Sequence, residues 1–295
     1  MKNLKKIFFA VFALAIGNIS VAQNNILNAR AAGEIGDESI EEIYAKADGP
    51  VPYEYVNDRD IMFQKKVWEV LPLDQRQNLM YYYPMDENMA DRKPLFNVLK
   101  DAVLAKKITE VYEDDNFKYK LNLRDLDNKF TKVDTTDAGK EQYMFDRRID
   151  EQYIVKTVIR AQDVKEYRTM GMWYFDRNAG ELKYRLLGLA PIVVDIATKG
   201  TDYEEAVPLF WIFFPDARET LYNTYAFNER NPAMKMNFDY LFNARKFSST
   251  IYKTDNIYGD REIKDYVQGD AMMQLLEAER VKESIRDLED DLWNY

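Results

Sequence analysis

Residues 170–218 constrain the fold more than any other part of the chain. Three apolar runs, rich in aromatic and β-branched residues, are separated there by turn chemistry. Met172-Trp173-Tyr174-Phe175 has the composition of a strand. Residues 176–180 are too few for an element, are rich in turn formers, and end on Gly180, which can take positive φ. Residues 182–189 return as the second arm, so the pair reads as a β-hairpin with a loop slightly longer than the tightest type. Pro191 is expected to break that arm, with Ile192-Val193-Val194 resuming it. Residues 198–202 read as a second turn. Residues 209–214 are apolar on both faces, which predicts a central strand covered on both sides. Pro215 and Asp216 should end it, with Asp216 capping a following helix. The stretch reads as the core sheet of a domain, and it contains no catalytic motif.

Chemistry is bounded by two absences. The 295-residue sequence has no Cys and no His. Disulfides, thiol nucleophiles and thiolate metal sites are therefore excluded. So are His-based triads, the usual zinc ligands and the commonest general base near neutral pH. An enzyme built on this chain would depend on carboxylates, Lys, Tyr or a Ser-Lys pair. No cofactor is expected. The formal net charge is −10, which gives no general attraction for nucleic acid. Core packing accounts for most of the 21 Tyr and 16 Phe, while Tyr, which offers apolar area and a hydroxyl together, tilts the balance toward binding.

Four regions are expected. Residues 1–22 resemble a signal peptide: Lys2, Lys5 and Lys6 precede an apolar run at residues 7–16, and Ser20-Val21-Ala22 places small residues before a cleavage point between Ala22 and Gln23. The apolar run is shorter than the roughly 20 residues a spanning helix needs, so the mature protein is expected to have no membrane span. Without Cys it cannot be a lipoprotein. Residues 23–50 read as an N-terminal arm, with a short helix at 39–47 that Ser39 and Glu42 would cap. Gly49-Pro50-Val51-Pro52 forms a stiff linker. Residues 51–267 form the core domain, and residues 268–295 a C-terminal amphipathic helix.

Within the core, residues 57–71 fit a helical period through Ile61, Gln64, Lys65 and Trp68, with Asp58 as cap and Pro72 as terminator. Tyr81-Tyr82-Tyr83 reads as a half-buried strand or a stacking surface. Residues 94–106 predict a helix on the stripe Leu95, Val98, Leu99, Ala102 and Val103, with Pro94 in the first turn. Asp125-Leu126-Asp127-Asn128 opens like a calcium loop, but Phe130 stands where Gly is needed and Thr136 where Glu is needed, so calcium is not expected. Residues 131–140 read as a polar loop, and residues 153–159 as a strand of the central sheet. Residues 217–227 and 234–247 read as helices, the second presenting Met236, Tyr240 and Phe247. Leu275, Ala278, Val281, Ile285, Leu288 and Leu292 form a near-heptad seam on the last helix. Glu279–Lys282 and Glu283–Arg286 are placed to pair along it. The fold class that follows is α+β, with a mainly antiparallel central sheet, flanking helices, an N-terminal arm and a long C-terminal helix.

Several runs resemble the gliding-motility family GldN, called PorN in non-gliding relatives. They are Lys66-Val67-Trp68-Glu69-Val70, Leu73-Asp74-Gln75-Arg76-Gln77-Asn78 and Tyr81-Tyr82-Tyr83-Pro84 in the front half. In the centre are Met172-Trp173-Tyr174-Phe175, the run from Gly180 through Pro191, and Leu209-Phe210-Trp211-Ile212-Phe213-Phe214-Pro215-Asp216-Ala217-Arg218. The resemblance implies a periplasmic, non-catalytic structural subunit of the type IX protein secretion system of Bacteroidetes. It further implies self-association in a ring with a GldK/PorK-like outer-membrane lipoprotein, and contact with a GldM/PorM-like periplasmic shaft. Arms and terminal helices commonly bridge subunits, so Ile35, Ile40, Ile43, Val281, Ile285, Leu288 and Leu292 are the candidate interface residues. Two other functions remain open. One is a peptide- or glycan-binding module using Tyr81 to Tyr83. The other is a hydrolase using two of Asp86, Glu87, Asp91, Glu204 and Glu205, which would have to face each other roughly 5–9.5 Å apart.

Overall fold

A computed structural model describes residues 49–84, 92–148, 150–194, 206–227, 231, 235–257 and 259–293. In chain order the described elements begin with β1 (Ile61–Pro72), α1 (Leu79–Tyr82), α2 (Leu95–Leu104), β2 (Val111–Tyr112), α3 (Leu123–Phe130), β3 (Thr131–Thr135), α4 (Asp137–Asp146) and β4 (Ile154–Val158). The long pair β5 (Val164–Asp176) and β6 (Glu181–Val194) follows, then β7 (Ala206–Pro208), β8 (Trp211–Phe213), α5 (Phe214–Tyr222) and β9 (Tyr225–Ala226). The chain closes with β10 (Met236–Asn237), α6 (Phe238–Asn243), β11 (Thr250–Thr254), α7 (Ile263–Tyr266) and α8 (Ala271–Trp293). All lie in the compact unit Pro50–Tyr295.

The main sheet has the order β11-β1-β5-β6-β8-β2, with β7 also on β6, and every pairing in it is antiparallel. This is the expected α+β fold. The β5–β6 hairpin is its spine. Its loop closes because the Gly180 amide donates to the Asp176 carbonyl at 2.8 Å and the Asn178 amide to the Asp176 carboxylate at 2.9 Å. Gly180 sits at φ +64°, where a side chain would be strained. Midway along the pair, Met170 faces Gly188 while Gly171 faces Leu186, so Leu187 is an extra residue and the strand bends there.

Alternation along the strands gives the sheet two covered faces. On one, Leu71, Tyr167, Leu186 and Leu189 join a core with Leu95, Leu99, Phe214, Leu221 and Phe242 of α2, α5 and α6. The predicted α2 stripe is fully inside it. On the other, Trp68, Met170, Ala190 and Trp211 pack with Tyr112, Phe117 and Tyr252. The helix α8 lies over β1 and β11, with Ala278, Val281 and Ile285 against Val67 and Ile251.

Several expectations are corrected. Residues 57–71 are not a helix: after a short 3-10 turn (Asp58–Asp60), β1 runs for 12 residues between β5 and β11. Two flanking strands satisfy its backbone on both sides, and that pairing overrides a spacing that also fits a helix. Trp68 is nevertheless buried and Pro72 does end the element. Pro191 does not break β6. Its carbonyl accepts from the Leu209 amide at 3.0 Å, so its imide side faces the gap between β7 and β8, where no donor is required. The strand predicted at 209–214 is shorter, because Phe214 and Pro215 already belong to the first turn of α5; Asp216 lies within that turn and does not cap it. Residues 131–140 hold β3 and the start of α4, and β4 pairs with β3 in a separate two-stranded sheet. The helix expected at 217–227 ends at Tyr222, and the one at 234–247 is reduced to α6 after the short β9–β10 pair. The signal peptide with its Ala22–Gln23 junction, the 39–47 helix and the 198–202 turn lie outside the described residues.

Candidate functional site

The β7 and β8 strands cover β6 only from Gly188 onward. The half spanning residues 181–186 has β5 on one side and, among the described residues, no strand on the other. An open edge of this kind is a template for wrong pairing. Beside it lies a strap of residues 51–54, which makes no backbone hydrogen bond to β6 and is held by side chains from β6, α5 and α6.

Arg218 is the anchor. It occupies the apolar stripe of α5 with Phe214, Ala217 and Leu221, so its guanidinium points inward. It donates to Asp239 of α6 through Nε at 2.8 Å and Nη2 at 3.2 Å, and through Nη2 to the Val51 carbonyl at 2.6 Å. Both side chains are below one-tenth exposed. Tyr53 lies on the same guanidinium, 4.1 Å from ring centroid to Cζ, with Arg185 on it at 4.9 Å. The Tyr53 hydroxyl donates to Asn243 Oδ1 at 2.9 Å, and Asn243 Nδ2 donates to Asp239 at 2.9 Å, closing a ring of contacts. Burial pushes the Tyr53 hydroxyl up to about 12, against the opposing pull of Arg218. Glu54 completes the strap: Lys183 reaches its carboxylate at 2.8 Å and Arg185 its carbonyl at 2.8 Å. Beside the strap opens a cavity of about 650 Å³, walled by Tyr174, Tyr222 and Tyr240 and floored by the Arg218–Asp239 pair. Its lining offers cations and ring faces.

A second charged knot ties α6 to the hairpin. Arg245, at φ +48° just past α6, donates to Glu69 of β1 at 2.8 Å and lies 4.0 Å over the Tyr184 ring. The Glu69 side chain is 4% exposed and that of Arg245 26%, so the carboxylate end of the pair is buried and the guanidinium end partly so. Tyr184 itself crosses β5 at Gly171, where any Cβ would collide with its ring and hydroxyl.

The residues singled out in the sequence are distributed differently. Val281 and Ile285 are buried on the chain's own sheet, at 9% and 4% exposure, so they present no free surface in this structure; Leu288 and Leu292 are half-buried. Ile35, Ile40 and Ile43 lie outside the described residues, as do Asp86, Glu87, Asp91, Glu204 and Glu205. The aromatic platform is corrected: Tyr81 is fully buried between Phe238 and Phe242, and its hydroxyl donates to the Lys246 carbonyl. Asp125 sits in the first turn of α3. The reading of the sequence missed Arg218, Asp239 and Tyr53. The available signal was a charge on an apolar helix stripe, since Asp239 also stands among Phe238, Leu241 and Phe242.

Among the described residues no helix is long and apolar enough to cross a membrane. Comparison with known families matches residues 56–294 to the one described as gliding motility associated protein GldN. No curated protein matches the chain.

Proposed function

The chain belongs to the GldN family, a component of gliding motility and type IX secretion, and from this premise we propose that it is a non-catalytic, periplasmic structural subunit of that machinery. In this reading it repeats in a large ring with a GldK/PorK-like lipoprotein beneath the outer membrane and contacts a GldM/PorM-like shaft. The observation that carries the reading is the family match across nearly the whole of the compact unit. Two further features support it. The chain has neither His nor Cys, and its most elaborate polar cluster spends its donors on holding its own strap.

The test is native purification of a tagged copy from the cell envelope, with particle sizing and mass spectrometry of what accompanies it. The expected result is a very large particle containing a lipoprotein. A lone monomer from cells that are actively secreting would overturn the reading.

A further inference from the structure

The cavity at the open edge of β6 carries a charge excess opposite to that of the chain. Lys183, Arg185, Arg218 and Lys235 line it against Glu54 and Asp239, in a sequence of formal charge −10. Asp239 matches Arg218 and Glu54 matches Lys183. Arg185 and Lys235 have no carboxylate partner among the described residues. Arg185 donates to the Glu54 carbonyl and the Tyr174 hydroxyl, and Lys235 lies over the Tyr225 ring at 5.4 Å. Two cations beside tyrosine walls suit a segment that brings carboxylates and apolar side chains together.

Such a segment exists in the chain itself. Asp287, Glu289 and Asp291 lie at the end of α8, and no basic residue falls in its last turn. The helix dipole concentrates negative potential there, so a cationic seat suits this end. Leu288 and Leu292 are interleaved with the acids. Within one copy, α8 is anchored over β1 and β11, while the cavity opens at the far edge of β6.

We infer that the cavity receives the acidic C-terminal end of α8 from a second copy of this chain, its carboxylates meeting Arg185 and Lys235. The contact joins two different surfaces. Each copy therefore offers one helix end and accepts another, the heterologous arrangement that closes by rotation. The inference rests on the reading of the chain as a repeating subunit, and it assigns the surfaces that meet.

Because the sequence has no Cys, introduced thiols report without background. Tyr240→Cys at the cavity rim and Asp291→Cys at the helix end are placed on differently tagged copies, co-produced in the cell envelope and oxidised, with particle size measured in parallel. The expected product is a disulfide-linked pair carrying both tags. Lys235→Glu, at an exposed position, should lower its yield about tenfold, the effect of a like-charge clash, and Asp287→Arg on the partner copy should restore it. Arg185→Glu should act in the same direction. Tyr119→Cys, 68% exposed elsewhere, should give no pair. A large particle without the mixed-tag product, or a link found only within one chain carrying both cysteines, overturns the inference while leaving the ring intact. A small particle overturns both.

Discussion

The Arg218–Asp239 pair gives the sharpest prediction. Asp239→Ala removes the acceptor of two charge-assisted bonds of 2.8 and 3.2 Å and leaves a guanidinium that is 9% exposed. Breaking a buried pair by deleting one partner costs about 3–5 kcal/mol. The Val51 carbonyl and the Tyr53 ring still face the cation, which places the loss at the lower end, about 3 kcal/mol. Against a total stability of about 5–15 kcal/mol, that is a large fraction. With a urea slope of about 3 kcal/mol per molar, the unfolding midpoint should fall by about 1 M. Arg218→Met combined with Asp239→Leu removes both charges, so stability should return to within about 1 kcal/mol of the parent. The strap, however, has then lost a donor to Val51 and a cation under Tyr53. Chymotrypsin should therefore cut at Tyr53 or Tyr55 in the double variant faster than in the parent, although the global midpoint is similar. Urea unfolding followed by Trp fluorescence, alongside timed proteolysis, separates the two effects. A single variant within 1 kcal/mol of the parent, or a double variant as unstable as the single, would refute the reasoning.

Gly171→Ala should cost about 1–3 kcal/mol through collision with Tyr184. Tyr184→Phe should not rescue it, because the ring carbons collide as well as the hydroxyl; thermal melts of the single and double variants decide. Ile285→Ala should cost about 2–4 kcal/mol, as a large-to-small change in a packed site. Leu276→Ala, at 57% exposure, should change stability by no more than about 0.5 kcal/mol; equal effects would mean that α8 does not pack as described. Burial raises Tyr53 to about 12 and pushes Tyr81, Tyr167, Tyr184 and Tyr252 above the ordinary range. A raised folded pKa favours the protonated native form, so this stability is complete below about pH 10 and is lost as the unfolded tyrosines ionise above it. Urea midpoints and tyrosinate absorbance between about pH 9 and 11 should show that loss, and a flat profile would contradict it.

What could be read from the sequence was local. The β5–β6 hairpin announced itself through Asp176 to Gly180 between two apolar arms, α2 through a five-residue stripe, and α8 through its seam. What could not be read depends on distant partners. Ile61, Lys65 and Trp68 fit one face of a helix but opposite faces of a strand, and only pairing with β5 and β11, about 100 and 190 residues onward, decides for the strand. The composition of residues 153–159 marks a strand but not its sheet, because the partner β3 has the composition of a polar loop. The strap site is assembled from Tyr53, Arg218 and Asn243, which share no local pattern. Their common trait, polar groups set among apolar neighbours, indicates burial without naming a partner.

The strap also has a consequence in time. Tyr53 precedes its acceptor Asn243 by 190 residues, and Val51 precedes Arg218 by 167. On a chain that emerges N-terminus first, β5 and β6 can pair while the helices that seat the strap are still to come. The edge of β6 is therefore bare during that interval, and closing so long a loop is among the slower events of folding. Two nascent copies meeting in the interval can join through their unsealed edges. Seating Tyr53 on Arg218 is the step that ends the exposure, so weakening the strap should reduce the yield of folded protein more than it reduces the stability of the protein that has folded.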